Sequence, residues 1–166
     1  KRCPYCDDIV TPFGEKIHAG CLEKLKVMSP PYCMVCGQKI GAGVSKCGEC
    51  SSGKHAYIRG RCLYEYRSAA PSIYRFKYLG RREYADLYGE QIVTYLGDFI
   101  KKVSPDALVP IPIHRRRLLK RGYNQACLLA KSISKRTGIP VMANLLCRRR
   151  YTAPLKLLSP AERQKN

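Results

Sequence analysis

Seven of the ten cysteines lie within the first 50 residues, and they recur in a pattern. Cys33-x2-Cys36 is followed after ten residues by Cys47-x2-Cys50, and Cys3-x2-Cys6 is followed after eleven by His18-x2-Cys21. The segment is therefore an internal repeat. A two-residue spacer lets a tight turn aim two side chains at one tetrahedral ion, and Gly37, directly after Cys36, gives the backbone freedom such a knuckle needs. Thiolate and imidazole suit zinc, although these gaps are shorter than the commonest ribbon spacing. The competing arrangement, a disulfide framework, requires an oxidising compartment and usually a secretory leader, which the opening residues do not resemble. The spacing thus predicts two zinc sites, with His18 the fourth ligand of the first. It leaves open whether the pairs are used in order or cross-braced.

A segment of about 50 residues has too little core to fold alone, so bound metal is expected to supply its folding energy. Eight protein ligands fill two tetrahedra and leave no open position for a reacting water, which argues for a structural role and against a zinc hydrolase. Cys62, Cys127 and Cys147 lack partners at ligand spacing and read as small buried hydrophobes. The charge is lopsided. Of a formal +19, residues 101–166 hold 16 basic side chains against 2 acidic ones. Seven thiolates and two zinc ions would bring residues 1–53 from +2 to about −1, so the metal segment is not the basic part. Such a field attracts polyanions. No apolar run approaches the ~18 residues of a membrane span.

Ser51, Ser52 and Gly53 break the pattern, so the expected organisation is a zinc-binding segment over 1–53 and a second domain over 54–166. Residues 56–67 alternate bulky side chains as a strand would. Residues 82–103 place Tyr84, Leu87, Tyr88, Ile92, Tyr95, Phe99 and Val103 on one helical face. Eight of the twelve tyrosines lie between 57 and 95; aromatics among basic residues can stack on bases, but this helical register favours packing. Ala107–Ile113 reads as a short strand, 114–125 as a basic loop, and the residues to Thr137 as a helix with Gly138 as its cap. Pro140 then introduces a strand over 141–146. That is a parallel βαβ unit. In such a unit ligands sit beyond the strand ends, so Arg115, Arg116, Arg117, Lys120 and Arg121, with Gly122, Asn124 and Gln125, form a candidate phosphate or pyrophosphate cradle. Asp98 and Asp106, the acidic residues nearby in sequence, read as helix surface and strand lead-in rather than as a general base.

The ordered motifs resemble those of the ComF/ComFC competence-protein family. They are CxxC, HxxC, CxxCG and CxxC, then Phe76-Lys77-Tyr78 with Arg81, Val109-Pro-Ile-Pro-Ile113, Arg121-Gly-Tyr-Asn-Gln125 with Leu129-Ala130, Thr152-x-Pro154, and Arg163-x-x-Asn166. His18 stands where many relatives have Cys, and Leu155 where a Gln often follows Thr-x-Pro. The resemblance implies an α/β fold with a phosphoribosyltransferase-like parallel sheet, of which this chain holds the N-terminal part, preceded by a small zinc-ribbon-like segment. It implies a cytoplasmic bacterial protein of competence and DNA uptake, binding phosphoribosyl pyrophosphate with Mg²⁺ on the diphosphate. Displacement of that pyrophosphate would pass through an oxocarbenium-like transition state stabilised by charge. The alternative is a zinc-stabilised single-stranded DNA-binding module working beside other DNA-uptake proteins, without catalysis. Relatives continue to a strand ending in paired acids and a Thr/Gly-rich loop that holds phosphoribosyl pyrophosphate. This continuation, together with a capping box at Ser159–Glu162 that opens a helix near the chain end, leads to the expectation of a fragment that binds without complete catalysis.

Overall fold

The computed structural model describes residues 1–53, 56–152 and Ser159. The Ser159–Glu162 capping box, Pro154, Leu155, the Arg163-x-x-Asn166 element and the boundary near His55 lie outside the described residues. Six helices run in order among the described residues: α1 (Ala19–Leu22), α2 (Gly48–Ser52), α3 (Tyr66–Tyr78), α4 (Tyr84–Val103), α5 (Arg115–Arg121) and α6 (Gln125–Thr137).

The repeat seen in the cysteines is a repeat in space. In the first lobe the Cys3 N–H donates to Asp8, the Asp7 N–H donates back to Cys3, and Arg2 bridges Ile9. In the second, Cys33 donates to Gln38, Gly37 donates back to Cys33, and Tyr32 bridges Lys39. Each knuckle leads to a one-turn helix, α1 or α2, carrying the last cysteine of its set. Ser51 and Ser52 finish α2 rather than breaking the chain before it. Gly37, at φ 76°, packs against another segment, where an added Cβ would stand 2.8 Å from Arg61 Cα. That contact makes glycine obligatory there.

The strand expected over 56–67 is not formed. Tyr64 makes one antiparallel bridge to Val27, and by Tyr66 the chain has entered α3. The sequence hides this helix behind Pro71, yet its inward positions Ala69, Ser72 and Phe76 are buried at helical spacing. By contrast α4 follows the register of its apolar residues in its first half, burying Tyr84, Leu87 and Tyr88, whereas Tyr95 and Val103 of the expected face are exposed. These side chains divide between two connected cores. Cys3, Val10, Ile17 and Leu25 of the first lobe pack with Ala69 and Leu87, while Phe76, Tyr84, Ala85, Tyr88 and Tyr123 form a cluster rich in aromatic residues. Within that cluster Phe76 and Tyr88 meet edge-on at 5.6 Å, a favoured arrangement. The Ser72 and Tyr88 hydroxyls hydrogen-bond each other, and Tyr123 donates to the Phe76 carbonyl, so these two phenols are paired.

Helices α4 and α6 form the principal helix pair, with Gly89 at the closest approach. A Cβ on Gly89 would meet Ser132 Oγ at 2.1 Å and the Ser132 backbone carbon at 3.2 Å. Gly89→Ala is therefore expected to destabilise the fold by about 1–3 kcal/mol despite alanine's better helix propensity, read as a lower urea midpoint at unchanged m-value. Beside this crossing, Lys16 of the first lobe reaches Asp86 at 3.0 Å and also pairs with Glu90, while Arg136 of α6 reaches Asp86 at 2.5 Å.

The expected β-strands are reduced to one parallel bridge, Leu108 to Val141, with the Leu108 N–H donating to Pro140 and the Met142 N–H to Leu108. Its orientation is the one a βαβ unit requires, but a phosphoribosyltransferase-like sheet is not formed among the described residues. Residues 143–145 turn rather than extend. The stretch read as a basic loop is largely helix α5, capped by His114, whose Nδ1 accepts from the Arg116 N–H, and closed by Gly122 at φ 79°. Three arginines in its first turn oppose the helix dipole, so charge patterning alone gave no helix signal. Helix α6 ends at Gly138 in the left-handed conformation, as expected. No described helix is long and apolar enough to cross a membrane.

Candidate metal centres and anion cleft

The two knuckles gather the predicted ligands in sequential sets, Cys3, Cys6, His18 and Cys21 in one and Cys33, Cys36, Cys47 and Cys50 in the other. In each set the four donor atoms lie within 4.8 Å of one another, so the cross-braced alternative does not describe this arrangement. The donor chemistry fits a metal of zinc's size. Zn–S bonds of about 2.3 Å put tetrahedral sulfurs roughly 3.8 Å apart, and Cys36 Sγ lies 3.7 Å from Cys47 Sγ. In the first set His18 turns Nδ1 inward, 3.4 Å from Cys6 Sγ and 3.8 Å from Cys21 Sγ, while Nε2 sits 3.1 Å from the Ile9 carbonyl. That outer bond places the proton on Nε2 and frees Nδ1 as a donor to metal, the support metal-bound imidazoles commonly receive.

The thiols are also differentiated. Cys33 is lowered to about 6 by backbone N–H groups, that of Cys36 foremost; Cys3 is lowered to about 7 because such N–H groups outweigh its burial. Burial instead pushes Cys6 up to about 11 and raises Cys50 strongly. Thiols must shed their protons to ligate a metal, so occupancy of both sets would fall as pH is lowered. The remaining cysteines are less buried than expected: Cys62 and Cys147 are exposed and Cys127 half-buried. Cys62 borders the second knuckle, its Sγ 3.8 Å from the Cys36 carbonyl.

The eight predicted anion-binding residues divide in three: cleft-lining residues, Arg115 and Arg116 of α5 outside the lining, and the helix-end residues Gly122, Asn124 and Gln125. Arg117, Lys120 and Arg121 line a cleft of about 300 Å³ together with Lys77, Tyr78 and Tyr151. Arg121 lies over the Tyr78 ring at 5.2 Å and Arg117 over the Tyr151 ring at 5.3 Å, while Arg116 also faces Tyr151 at 5.8 Å. These contacts hold the guanidinium planes with nitrogens left for a ligand. Arg117 also donates to the Thr152 carbonyl at 2.7 Å. Arg115 is exposed on α5 and is not among the lining residues.

Gly122, Asn124 and Gln125 work on the protein itself. Gly122 closes α5. The Asn124 side chain accepts from the Ala126 N–H at 3.0 Å and donates to the Ile111 carbonyl at 3.1 Å. Gln125 is buried and accepts from Arg121 at 2.6 Å. The first-turn N–H of Ala126 is therefore taken by the cap rather than offered to a phosphate. Sequence reading missed Lys77, Tyr78 and Tyr151 as cleft residues. The signal for the first two was present in Phe76-Lys77-Tyr78, once α3 is recognised as a helix that buries Phe76 and leaves its neighbours exposed. Asp98 and Asp106 are exposed and do not line this cleft.

Arg81, the other residue of that motif, clamps the first knuckle. It donates to both Asp7 carboxylate oxygens at 2.9 Å, and the Tyr84 hydroxyl lies 2.8 Å from Oδ1. The Arg81 guanidinium, aided by Tyr84, holds the Asp7 carboxyl below the usual carboxylate range.

Fold and site together define a largely helical arrangement, among the described residues, with two Cys-rich knuckles that could each hold a metal ion and a separate basic cleft. Known proteins agree on its kin. The chain is 26% identical to Competence protein F of Haemophilus influenzae, over 99% of this chain and 73% of the relative. It is 29% identical to Competence protein ComFC of Bacillus subtilis, over 77% and 55%, and 25% identical to DNA utilization protein YhgH of Escherichia coli, over 81% and 67%. These homologues support the ComF/ComFC family for this chain. No family model and no solved structure matches it.

Proposed function

We propose that the chain is a ComF-like component of competence and DNA uptake, built on two structural zinc ions, that holds a phosphorylated anion in the cleft between α3 and α5. Two of the relatives are named competence proteins and the third a DNA utilization protein, which supports the role in competence and DNA uptake. The thiolate-rich donor sets support zinc.

The observation that carries the anion reading is the cleft lining. Four of its side chains, Lys77, Arg117, Lys120 and Arg121, are cationic, and among the described residues none that lines it is acidic. Charge-assisted hydrogen bonds to phosphate oxygens are the strongest contacts such a lining can make. The family resemblance suggests phosphoribosyl pyrophosphate as the anion, with Mg²⁺ carried on the ligand's own diphosphate oxygens, since no lining carboxylate would hold it. Among the described residues the lining offers cations and tyrosine rings, which supports binding of the anion.

A second reading, single-stranded DNA, is favoured by the Tyr78 and Tyr151 rings beside the cations, because stacking and phosphate neutralisation together hold single strands.

Titrating the metal-loaded chain with phosphoribosyl pyrophosphate, with and without Mg²⁺, and with labelled oligothymidylate over a range of salt separates the two. Saturable binding tightened by Mg²⁺ supports the first. Oligonucleotide affinity falling steeply with salt supports the second. Binding of neither overturns the proposal.

A further inference from the structure

We propose that Asp7 is a positioning residue through which the first metal knuckle fixes the basic cleft; this rests on the anion-binding reading of that cleft. Asp7 follows the ligand Cys6 at φ 68°, the place that Gly37 takes in the second lobe at φ 76°. Left-handed backbone favours glycine, and aspartate is one of the few other residues that tolerate it. The carboxylate has a use that accounts for the exchange. It takes both Arg81 hydrogen bonds, and bidentate pairing fixes orientation as well as distance. Around it the knuckle is tied down twice more: the Tyr84 hydroxyl lies 3.1 Å from the Cys3 carbonyl, and Arg75 donates to the Tyr5 carbonyl at 2.9 Å.

Arg81 belongs to the turn between α3 and α4, and its neighbour Arg82 reaches the opposite way. Arg82 Nη2 donates to the Gly122 carbonyl at 3.3 Å, and its guanidinium stands over the Tyr123 ring at 4.9 Å. Lys77 and Tyr78 lie just before that turn, and Lys120 and Arg121 just before Gly122. Two adjacent arginines therefore connect the cleft's walls, one anchored on the metal knuckle and one on the end of α5. Arg121 over Tyr78 closes the same path from the cleft side. Loosening the knuckle or the Asp7–Arg81 pair separates Lys77 and Tyr78 from Lys120 and Arg121.

The test is a double-mutant cycle of Asp7→Asn and Arg81→Gln, read with inorganic pyrophosphate as the probe. Asparagine tolerates the left-handed backbone, so Asp7→Asn removes the charge and keeps the turn. All variants are expected to retain two metals per chain. Each single substitution weakens pyrophosphate binding about fivefold, and the double variant is no weaker than either single, because both break one link. Amide exchange over residues 77–82 accelerates in both. Unchanged affinity in the singles, or effects that add in full, overturns the proposal. If the unaltered chain does not bind pyrophosphate, the anion reading fails by itself, and the exchange decides the coupling: unchanged rates at 77–82 refute it. Should Asp7→Asn lose metal, Arg81→Gln alone decides, since Arg81 is remote in sequence from every ligand.

Discussion

Stripping the metal with a strong chelator at neutral pH unfolds residues 1–53, the second lobe first, and leaves α4 and α6 helical. The second lobe has little else to hold it, and the first depends on its contacts with α3 and α4. Helices α1 and α2 have four and five residues, far below the length at which an isolated helix is stable, and each knuckle's pairing is a single bridge. Zinc at such sites contributes about 10–16 kcal/mol in small zinc-finger peptides at neutral pH, comparable with the whole stability of an ordinary domain. The lobes differ in what remains. The first keeps Val10, Ile17 and Leu25 in a core shared with α3 and α4, whereas the second buries Cys33 and Cys50, themselves ligands, and no other large apolar side chain. Cys47→Ser is accordingly expected to halve the metal content and collapse the amide dispersion of residues 33–50, with the first lobe largely intact. Retention of dispersion in metal-free protein would show that the lobes fold without the ion.

Replacing Arg117 and Lys120 together by alanine is expected to weaken anion binding by about 100-fold, taking two charge-assisted hydrogen bonds at roughly 1.5 kcal/mol each. Thermal stability should fall only slightly, because Lys120 is exposed and Arg117 gives up one bond to the Thr152 carbonyl and its contact with the exposed Tyr151 ring. With oligothymidylate as ligand, the slope of log affinity against log salt should also fall in magnitude by about 1.4, the expectation for two fewer neutralised phosphates on a single strand. Equal affinity of the double variant and the parent chain, measured by titration, would place the ligand elsewhere.

The two Cys-rich donor clusters were legible in the sequence because chemistry and spacing constrain them together: two residues between donors leave few ways to turn a chain. Their sequential pairing was not, since spacing is indifferent to which knuckle shares an ion. Helix α4 was legible from the spacing of its apolar residues, of which Tyr84, Leu87 and Tyr88 are buried while Tyr95 and Val103 are exposed, and α6 from Gly138 at its end. Helix α3 was hidden because Pro71 and two serines weaken its propensity, and its stability comes from burying Ala69, Ser72 and Phe76 against neighbours no local window contains. The same omission left Lys77 and Tyr78 out of the predicted site. Asn124 and Gln125 were correctly located at a helix start but belong to its capping and packing, a distinction that depends on where Ile111 and Arg121 lie in space.

The account's central claim is that a phosphorylated anion sits between the end of α3 and α5. The most direct measurement is amide and side-chain chemical-shift mapping of the metal-loaded chain as inorganic pyrophosphate is added. The expected result is saturable shifts concentrated at Lys77, Tyr78, Arg117, Lys120, Arg121 and Tyr151, with the ligand cysteines unmoved. Saturable shifts centred on another surface, or none at millimolar pyrophosphate, would contradict it.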